Sequence, residues 1–393
     1  MSYTNKIQLG REAQVFVVPE VTPGTMVLPS ANNLVIPSGA PEFNQSPSYT
    51  DSTEVRNSRS KRVRFADMVP AGTWSLPMYC RPAGTAGSAP DGHVLLYGAF
   101  GSTTTYAGQS VTYTPKNIDH ISMSIFIGLK DMVFALIGAT VNEFKANFVN
   151  KGAINFTFSG GFMTMKWCGK AAVSGFSAGD FTVTADAAKQ FCVGMQIKIW
   201  DDSAGNYHNS GAGYTITAVG ATTVSCSGIT GYTYAANDHI EPYLPTGTEV
   251  GTAIEARTGL CYFDGGTAPT PIISSDVTLN NGIKYLEDEI SSNQYPTAFI
   301  ADQRDVKANV NMYLRSNDLN FFKESGILAS SDAVDVNLMF RGGSAAGSRV
   351  QLAMPQSRGT LPQLSGDLEK TMAVEFQGLA SATLEDEIKL SFY

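Results

Sequence analysis

The sequence is poor in charged side chains and in long apolar runs. Charged residues account for 16% of the 393 residues, below the roughly one quarter that is usual in globular proteins. The longest apolar run, Met132–Ile137, is far too short to cross a bilayer, so we expect no membrane partner. Met1–Val18 lacks a basic region followed by a long apolar core, so we also expect no signal peptide.

Patterns of reactive residues are missing as well. The five cysteines are odd in number and scattered, without a CxxC pair. This argues against a disulfide framework or a zinc site and favours a reducing compartment. The four histidines lie far apart, and the chain has no GxSxG, HExxH or P-loop motif. We therefore expect no enzymatic activity, no cofactor and no metal.

The charge balance argues against tight binding of nucleic acid. The formal net charge is −8, whereas proteins dedicated to nucleic-acid binding are usually basic. Residues 51–67 hold a basic cluster, but Asp51, Glu54 and Asp67 interleave it. A solvated or partner-facing loop is therefore favoured over a nuclear-localisation or DNA-binding segment.

What the chain does have is a two-residue alternation of apolar and polar side chains. It is clearest in the segments NEFKANF (142–148) and INFTF (154–158), which are separated by Asn150-Lys151-Gly152. A period of two predicts a strand with one apolar and one wet face. Two such strands around a glycine-containing break predict an antiparallel hairpin.

The same order of elements occurs a second time. Asn309–Arg315 (NVNMYLR) echoes Ser75–Arg81 (SLPMYCR), and a predicted short helix at 316–326 echoes one at 91–101, each ending in a glycine. The alternating residues 334–340 echo 121–127, and 372–376 echo 154–158. With a final strand at 388–392, this predicts a second hairpin over Met372–Phe392 and an internal duplication. Between the copies, residues 171–245 are richer in Gly, Ala, Ser and Thr, which predicts a small, self-contained all-β insert.

Both halves resemble the tail tube proteins of tailed bacteriophages. The resemblance rests on Gly138–Gly161 (GATVNEFKANFVNKGAINFTFSGG), Gly366–Tyr393 (GDLEKTMAVEFQGLASATLEDEIKLSFY) and the opening Thr22–Ser30 (TPGTMVLPS). It covers roughly residues 10–168 and 270–393. It implies a mainly β chain with two tandem tail-tube-like β-sandwich or barrel domains, each with one short helix, plus the inserted all-β domain. The expected domains are 1–170, 171–248 on the outer surface, and 249–393.

The resemblance implies a structural virion protein that polymerises into stacked rings around a conduit for DNA ejection. Because each chain carries two copies of the fold, three chains are expected to close a pseudo-hexameric ring. The bulky insert favours a non-contractile, siphovirus-type tail over a sheathed one. Expected partners are further copies of the chain, the tape measure inside, and the terminator and distal tail proteins at the ends. Genomic DNA would pass through without tight binding, and assembly in the host cytoplasm would end with the protein in the virion tail.

Two sets of residues follow as candidates for this role. Polar residues of the two predicted hairpins would line the lumen: Glu143, Lys145, Asn147, Asn155, Thr157, Thr371, Glu375, Gln377, Glu387 and Lys389. Charged residues of two corresponding loops would contact the next ring: Arg56, Arg59, Lys61, Arg62, Arg64, Glu287, Asp288 and Glu289.

Other readings of the same features stay open. A related tail component made in few copies, such as a terminator, distal tail or hub protein, would share the fold. The insert could also bind cell-surface glycans through its aromatic side chains, although core or turn positions are the commoner use of such residues. Those side chains are Trp200, Tyr207, Tyr214, Tyr232 and Tyr234.

Overall fold

A computed structural model describes residues 10–54, 60, 63–117, 120–264, 269–289, 294–381 and 384–393. The predicted mainly β fold is confirmed, with short helices between antiparallel strands. No helix within these ranges is long and apolar enough to cross a membrane. The candidates Arg56, Arg59, Lys61 and Arg62 lie outside the described residues.

The first repeat runs from residue 13 to residue 168. Its elements are β1 (Ala13–Pro19), β2 (Leu34–Val35), β3 (Glu42–Asn44), β4 (Tyr49–Asp51), β5 (Arg64–Ala66), β6 (Gly72–Tyr79), α1 (His93–Phe100), β7 (Gly101–Tyr106), β8 (Ser110–Pro115), β9 (Met123–Leu129), β10 (Met132–Ala139), β11 (Glu143–Val149), β12 (Asn155–Phe162) and β13 (Thr164–Cys168). The predicted helix ends where Gly101 adopts a left-handed conformation with φ of 84°, which glycine does without steric cost.

The insert follows directly. Its elements are β14 (Ala171–Ala172), β15 (Gly175–Ser177), β16 (Asp180–Thr182), α2 (Ala185–Ala188), β17 (Gln196–Asp201), β18 (Asn206–Tyr207), β19 (Tyr214–Val219), β20 (Thr223–Cys226) and β21 (His239–Pro242). These strands form one eight-stranded antiparallel sheet.

The second repeat completes the chain. Its elements are β22 (Leu260–Phe263), β23 (Ser274–Asn280), β24 (Ile283–Tyr285), β25 (Phe299–Ala301), β26 (Asp305–Tyr313), α3 (Asn320–Glu324), β27 (Asp335–Gly342), β28 (Val350–Gly359), β29 (Gln363–Ser365), β30 (Thr371–Gly378) and β31 (Lys389–Phe392). Single turns of 3-10 helix occur at Gly10–Glu12, Ala31–Asn33, His208–Gly211, Ala256–Thr258, Ser316–Leu319 and Ser330–Asp332.

An inner sheet runs through both repeats. Its strands pair antiparallel in the order β3, β6, β12, β11, β23, β26, β30 and β29. The two repeats meet where β11 pairs with β23 along its whole length, from Glu143 opposite Asn280 to Val149 opposite Ser274. Each repeat therefore contributes four strands to one sheet.

Each repeat also has an outer sheet. In the first repeat its order is β2, β1, β9, β10 and β13. In the second repeat the outer layer is formed by β22, β27, β28 and β31, and the β7–β8 hairpin of the first repeat extends it by pairing β8 with β31. The end of β28 pairs with β30, so this outer layer is hydrogen-bonded to the inner sheet. The repeats are thus joined by strand pairing in both layers.

The duplication is visible as matched topology. Eleven elements of the two repeats correspond one to one in chain order. In the first repeat they are β1, β3, β4, β5, β6, α1, β9, β10, β11, β12 and β13, and in the second, in the same order, β22, β23, β24, β25, β26, α3, β27, β28, β29, β30 and β31. Corresponding strands pair with corresponding partners, as in β1–β9 and β22–β27. The hairpin predicted over Met372–Phe392 is wrong, however. β30 pairs with β26, β28 and β29, whereas β31 joins the outer sheet. The counterpart of the β11–β12 hairpin is β29–β30.

Two apolar cores separate three layers. One core fills the space between inner and outer sheets, where Phe144 and Phe156 meet residues such as Ile125 and Leu136. The second lies on the other side of the first repeat's outer sheet and combines Phe16, Phe126, Val133 and Ile137 with insert residues such as Phe181, Ile197 and Ile240. The insert forms its own sheet, but its core is not self-contained, because β1, β9 and β10 supply part of it.

Candidate functional site

The inner sheet has one apolar face and one polar face. Burial alternates strictly along β11 and β26, where Phe144, Ala146 and Phe148 are buried and the residues between them are not. This is what a period of two dictates when one face covers a core. Besides the predicted candidates, the polar face carries Glu42, Asn44, Ser75, Ser159, Asp276, Thr278, Asn280, Asp305, Lys307, Asn309, Asn311 and Gln363.

Lys145 on this face is neutralised across the repeat boundary. Its Nζ atom lies 3.7 Å from Asp276 Oδ1 on β23. Asn147 Nδ2 donates to the same oxygen over 2.6 Å. The carboxylate of the second repeat therefore holds two side chains of the first.

Lys307 is paired in the same way. Its Nζ atom lies 3.3 Å from Asp305 Oδ2, and Gln377 Nε2 on β30 donates to Asp305 Oδ1 over 2.8 Å. Further carboxylates on the polar face belong to Glu42, Glu143 and Glu375. Carboxylates therefore outnumber lysines on the described part of this face, and both lysines have an acidic partner.

Eight of the ten lumen candidates lie on the polar face. They are Glu143, Lys145, Asn147, Asn155, Thr157, Thr371, Glu375 and Gln377. Glu387 and Lys389 do not, since β31 belongs to the outer sheet. Glu387 instead accepts a hydrogen bond from Arg304 over 3.3 Å at the wall of an open cavity of about 860 Å³.

Two strands of this face carry residues outside the predicted lumen set. β23 and β26 carry Asp276, Asp305, Lys307 and Asn309, which none of the predicted sets contains. The alternation in DVKANVNMY (305–313) was the available signal, because every second residue of β26 is buried. Assigning it to the same face as β11 needed the pairing of β11 with β23.

The predicted contact loops form two corresponding hairpins, which we call arms. Arm 1 is β4–β5 with the loop between them, and arm 2 is β24–β25 with its loop. At the base of arm 1, Arg64 Nε lies 2.9 Å from Asp51 Oδ1, and its guanidinium lies over the ring of Tyr49. Arg64 is thus paired within its own arm.

Arm 2 is anchored on the first repeat. Glu287 Oε1 accepts a hydrogen bond from the backbone N–H of Ala71 over 2.7 Å. The hydroxyl of Tyr285 donates to Gly138 O over 2.8 Å, and its ring lies so close to Gly161 that a Cβ there would not fit. Glu287 therefore has a partner in its own chain, while Asp288 and Glu289 are exposed further along the arm.

The aromatic residues of the insert are largely structural. Tyr214 and Tyr232 are buried in its core, and Tyr234 packs against it. Trp200 and Tyr207 are half-buried and pack edge to face beside the buried carboxylate of Glu241. Burial alone would raise the pKa of Glu241, but hydrogen bonds from His239, Lys170 and Tyr207 outweigh it and hold the pKa well below its ordinary value.

Within the described ranges, no group of three or more His, Cys, Asp or Glu side chains is placed to hold a metal ion. The comparison with known protein families matches residues 10–166 to a family described as phage tail tube protein. The matched stretch begins at the 3-10 turn just before the first repeat and runs into β13. A search of curated proteins gives no match.

Proposed function

We propose, from the match of residues 10–166 to the phage tail tube protein family, that the chain is a phage tail tube protein and polymerises into stacked rings that form the tube of a phage tail. The proposal extends the family's structural role to the whole chain, including the second repeat and the insert. The tube would serve as the conduit for DNA ejection into the host.

The observation that carries this proposal is the continuous inner sheet. Two corresponding sets of four strands are joined edge to edge through β11 and β23, so one chain already contains a repeat-to-repeat junction. Repeating that junction between chains closes a ring, because closed symmetry satisfies every equivalent edge. With two repeats per chain, a six-repeat ring contains three chains.

The polar face would line the lumen. A wall that carries free lysines would hold DNA, because neutralising phosphates releases condensed counterions and strengthens binding. Here Lys145 and Lys307 each lie against an aspartate, and the remaining carboxylates of the face repel phosphate. Such a wall lets a duplex slide without gripping it.

The layer order would put the insert on the outside of the tube. The insert packs on the face of the outer sheet that is turned away from the inner sheet, so it lies opposite the polar face. Bulky domains there would clash with a contractile sheath, which favours a non-contractile tail. The tape measure would occupy the lumen during assembly in the host cytoplasm, and terminator and distal tail proteins would cap the ends.

Electron microscopy of the purified chain tests the proposal. Negative stain should show long tubes with regular rings, and mass measurement of disassembled rings should give three chains. A monodisperse monomer under all assembly conditions, including low temperature and high protein concentration, would contradict the proposal. Particles that stop at one ring would favour a terminator or distal tail protein instead.

A further inference from the structure

We propose that β29 of one chain pairs antiparallel with β3 of the next, with Leu364 opposite Phe43. The partner is a second copy of this chain, and the proposal rests on the ring assembly proposed above. It specifies which strands and which residues meet between chains.

The internal junction supplies the template. β11 and β23 pair with Ala146 opposite Val277 on the core side, and with Asn147 opposite Asp276 on the polar side. β29 and β3 are the counterparts of β11 and β23, and they are the two ends of the inner sheet in the single chain. The same pairing can therefore recur between chains.

The register on the β29 side follows from two alignments. The echo of Ser75–Arg81 in Asn309–Arg315 aligns Met78 with Met312. Met78 lies opposite Phe156, and Met312 lies opposite Met372. The strand pairing therefore aligns Phe156 with Met372, which differs by two residues from the sequence alignment of 372–376 with 154–158. Ala146 is the partner of Phe156 in β11. Leu364 is the partner of Met372 in β29, so it is the counterpart of Ala146.

The register on the β3 side follows in the same way. Counting back equally from Met78 and Met312 reaches Trp74 and Ala308. Trp74 lies opposite Phe43, whereas Ala308 lies opposite Val277, so Phe43 is the counterpart of Val277. Since Ala146 faces Val277 inside the chain, Leu364 faces Phe43 between chains. On the polar side, Ser365 then faces Glu42, and Gln363 faces Asn44.

The exposed apolar surface of the second repeat supports this assignment. In the first repeat, Leu95, Leu96, Ala99 and Phe100 of α1 are buried, and Asn281 of the second repeat donates to Ala99 O over 2.9 Å. None of the residues of α3 is buried. Its neighbours Leu319 and Leu328 are 64% and 80% exposed, and Leu364 is 52% exposed.

This difference between α1 and α3 has a simple explanation. α1 lies at a junction that the single chain completes, whereas α3 lies at the junction that the next chain would complete. Covering a large exposed apolar patch is a common reason for association. The chain therefore carries both an occupied and an open version of one interface.

Cysteine cross-linking tests the register. The chain with Glu42→Cys and Ser365→Cys, in a Cys192→Ser background, should give covalent dimers and trimers and nothing larger on oxidation of assembled tubes. Cysteines opposite each other in a sheet are within disulfide range. The matched control, Asn44→Cys with Ser365→Cys, is out of register and should cross-link at least tenfold less. Equal cross-linking of both pairs would overturn the register, and so would a lack of cross-links in visible tubes. Neither result would contradict the proposal that the chain forms tubes.

A substitution at the edge gives an independent readout. Leu364→Asp should abolish rings while leaving the melting temperature of the monomer unchanged, because the side chain is half-exposed there. Leu368→Asp, at a leucine 97% exposed outside β29, is the control and should assemble normally. Rings of normal yield from Leu364→Asp would refute the pairing. If the unaltered chain forms no rings, the proposed function fails, and this interface fails with it.

Discussion

Asn147 and Asp276 are 129 residues apart in the chain, and Asn147 Nδ2 donates to Asp276 Oδ1 over 2.6 Å. They lie opposite each other on β11 and β23, the strands that join the two repeats. Lys145 lies 3.7 Å from the same carboxylate. One carboxylate thus pairs with a lysine of the polar face and stabilises the junction between repeats.

Removing this carboxylate should weaken the junction. We expect Asp276→Ala to lower the free energy of unfolding by about 1 kcal/mol, since it leaves Asn147 without its acceptor at a partly solvated site. Chemical denaturation of the monomer measures the change. Asp288→Ala, at an exposed carboxylate of arm 2, should stay within about 0.5 kcal/mol of the unaltered chain. Equal effects of the two substitutions would contradict the role assigned to Asp276.

Asp91, just ahead of α1, should make stability depend on pH. It is 4% exposed, and burial raises its pKa to about 6, although the N–H of Ile36 and the charge of Arg81 act in the opposite direction. A raised pKa stabilises the folded protein below the ordinary carboxyl pKa of about 4, and this contribution is lost as pH rises through about 6. The loss is on the order of 2–3 kcal/mol.

Asp91→Asn should therefore remove the fall in stability between pH 4 and pH 6 that comes from this group. Denaturant titrations at several pH values across that range compare the free energy of unfolding of the variant with that of the unaltered chain. Glu289→Gln, at an exposed carboxylate, should keep the full dependence. An unchanged pH profile in Asp91→Asn would show that another group titrates there.

Deleting the insert should destabilise the rest of the chain. Without residues 171–245, the apolar side chains of Phe16, Phe126, Val133 and Ile137 lose their cover, and exposed patches of this kind promote aggregation. Measurements of solubility, and of the binding of a dye to exposed apolar surface, report the effect of the deletion. Adding Phe126→Thr and Ile137→Thr to the deletion should restore solubility. A bare deletion that stays soluble and forms tubes would show that the insert is only a decoration.

Adding positive charge to the polar face should make tubes retain DNA. Asn309 and Glu375 lie opposite each other on β26 and β30, and changing both to lysine adds two cations per chain to the proposed lumenal face. The new side chain at 309 would lie opposite Asp276, but that carboxylate already pairs with Lys145. We expect salt-dependent retention of duplex DNA, with affinity falling steeply as salt rises. Filter binding at several salt concentrations measures how steeply the affinity for DNA falls with salt. Asp186→Lys with Asn206→Lys makes an equal charge change on the insert, and equal retention by that control would argue against a lumenal face.

The arms should govern stacking. Replacing Arg59, Lys61 and Arg62 of arm 1 with glutamate should leave rings intact but prevent long tubes, because the loops would then repel the acidic loops of arm 2. Reversing Asp288 and Glu289 to lysine in the same chain should restore stacking. Tube length in electron micrographs is the readout. Normal-length tubes from the triple variant would show that these charges do not set the contact between rings.

The sequence alone determined the local pattern of this protein. Alternation with a period of two predicted β11, β12 and β30 and their buried faces, and glycine predicted the end of α1. The order of motifs predicted the duplication and the position of the insert, because each signal lies within a few neighbouring residues.

Only the tertiary structure decided which strands share a face. The pairing of β11 with β23 brings Asp276 next to Asn147. β31 lies in the outer sheet, although its alternation of apolar and polar residues resembles that of β30. The insert core also depends on β1, β9 and β10, which are buried on both faces. Such relations join residues far apart in the chain, and their choice depends on packing and backbone hydrogen bonds that a local pattern does not encode.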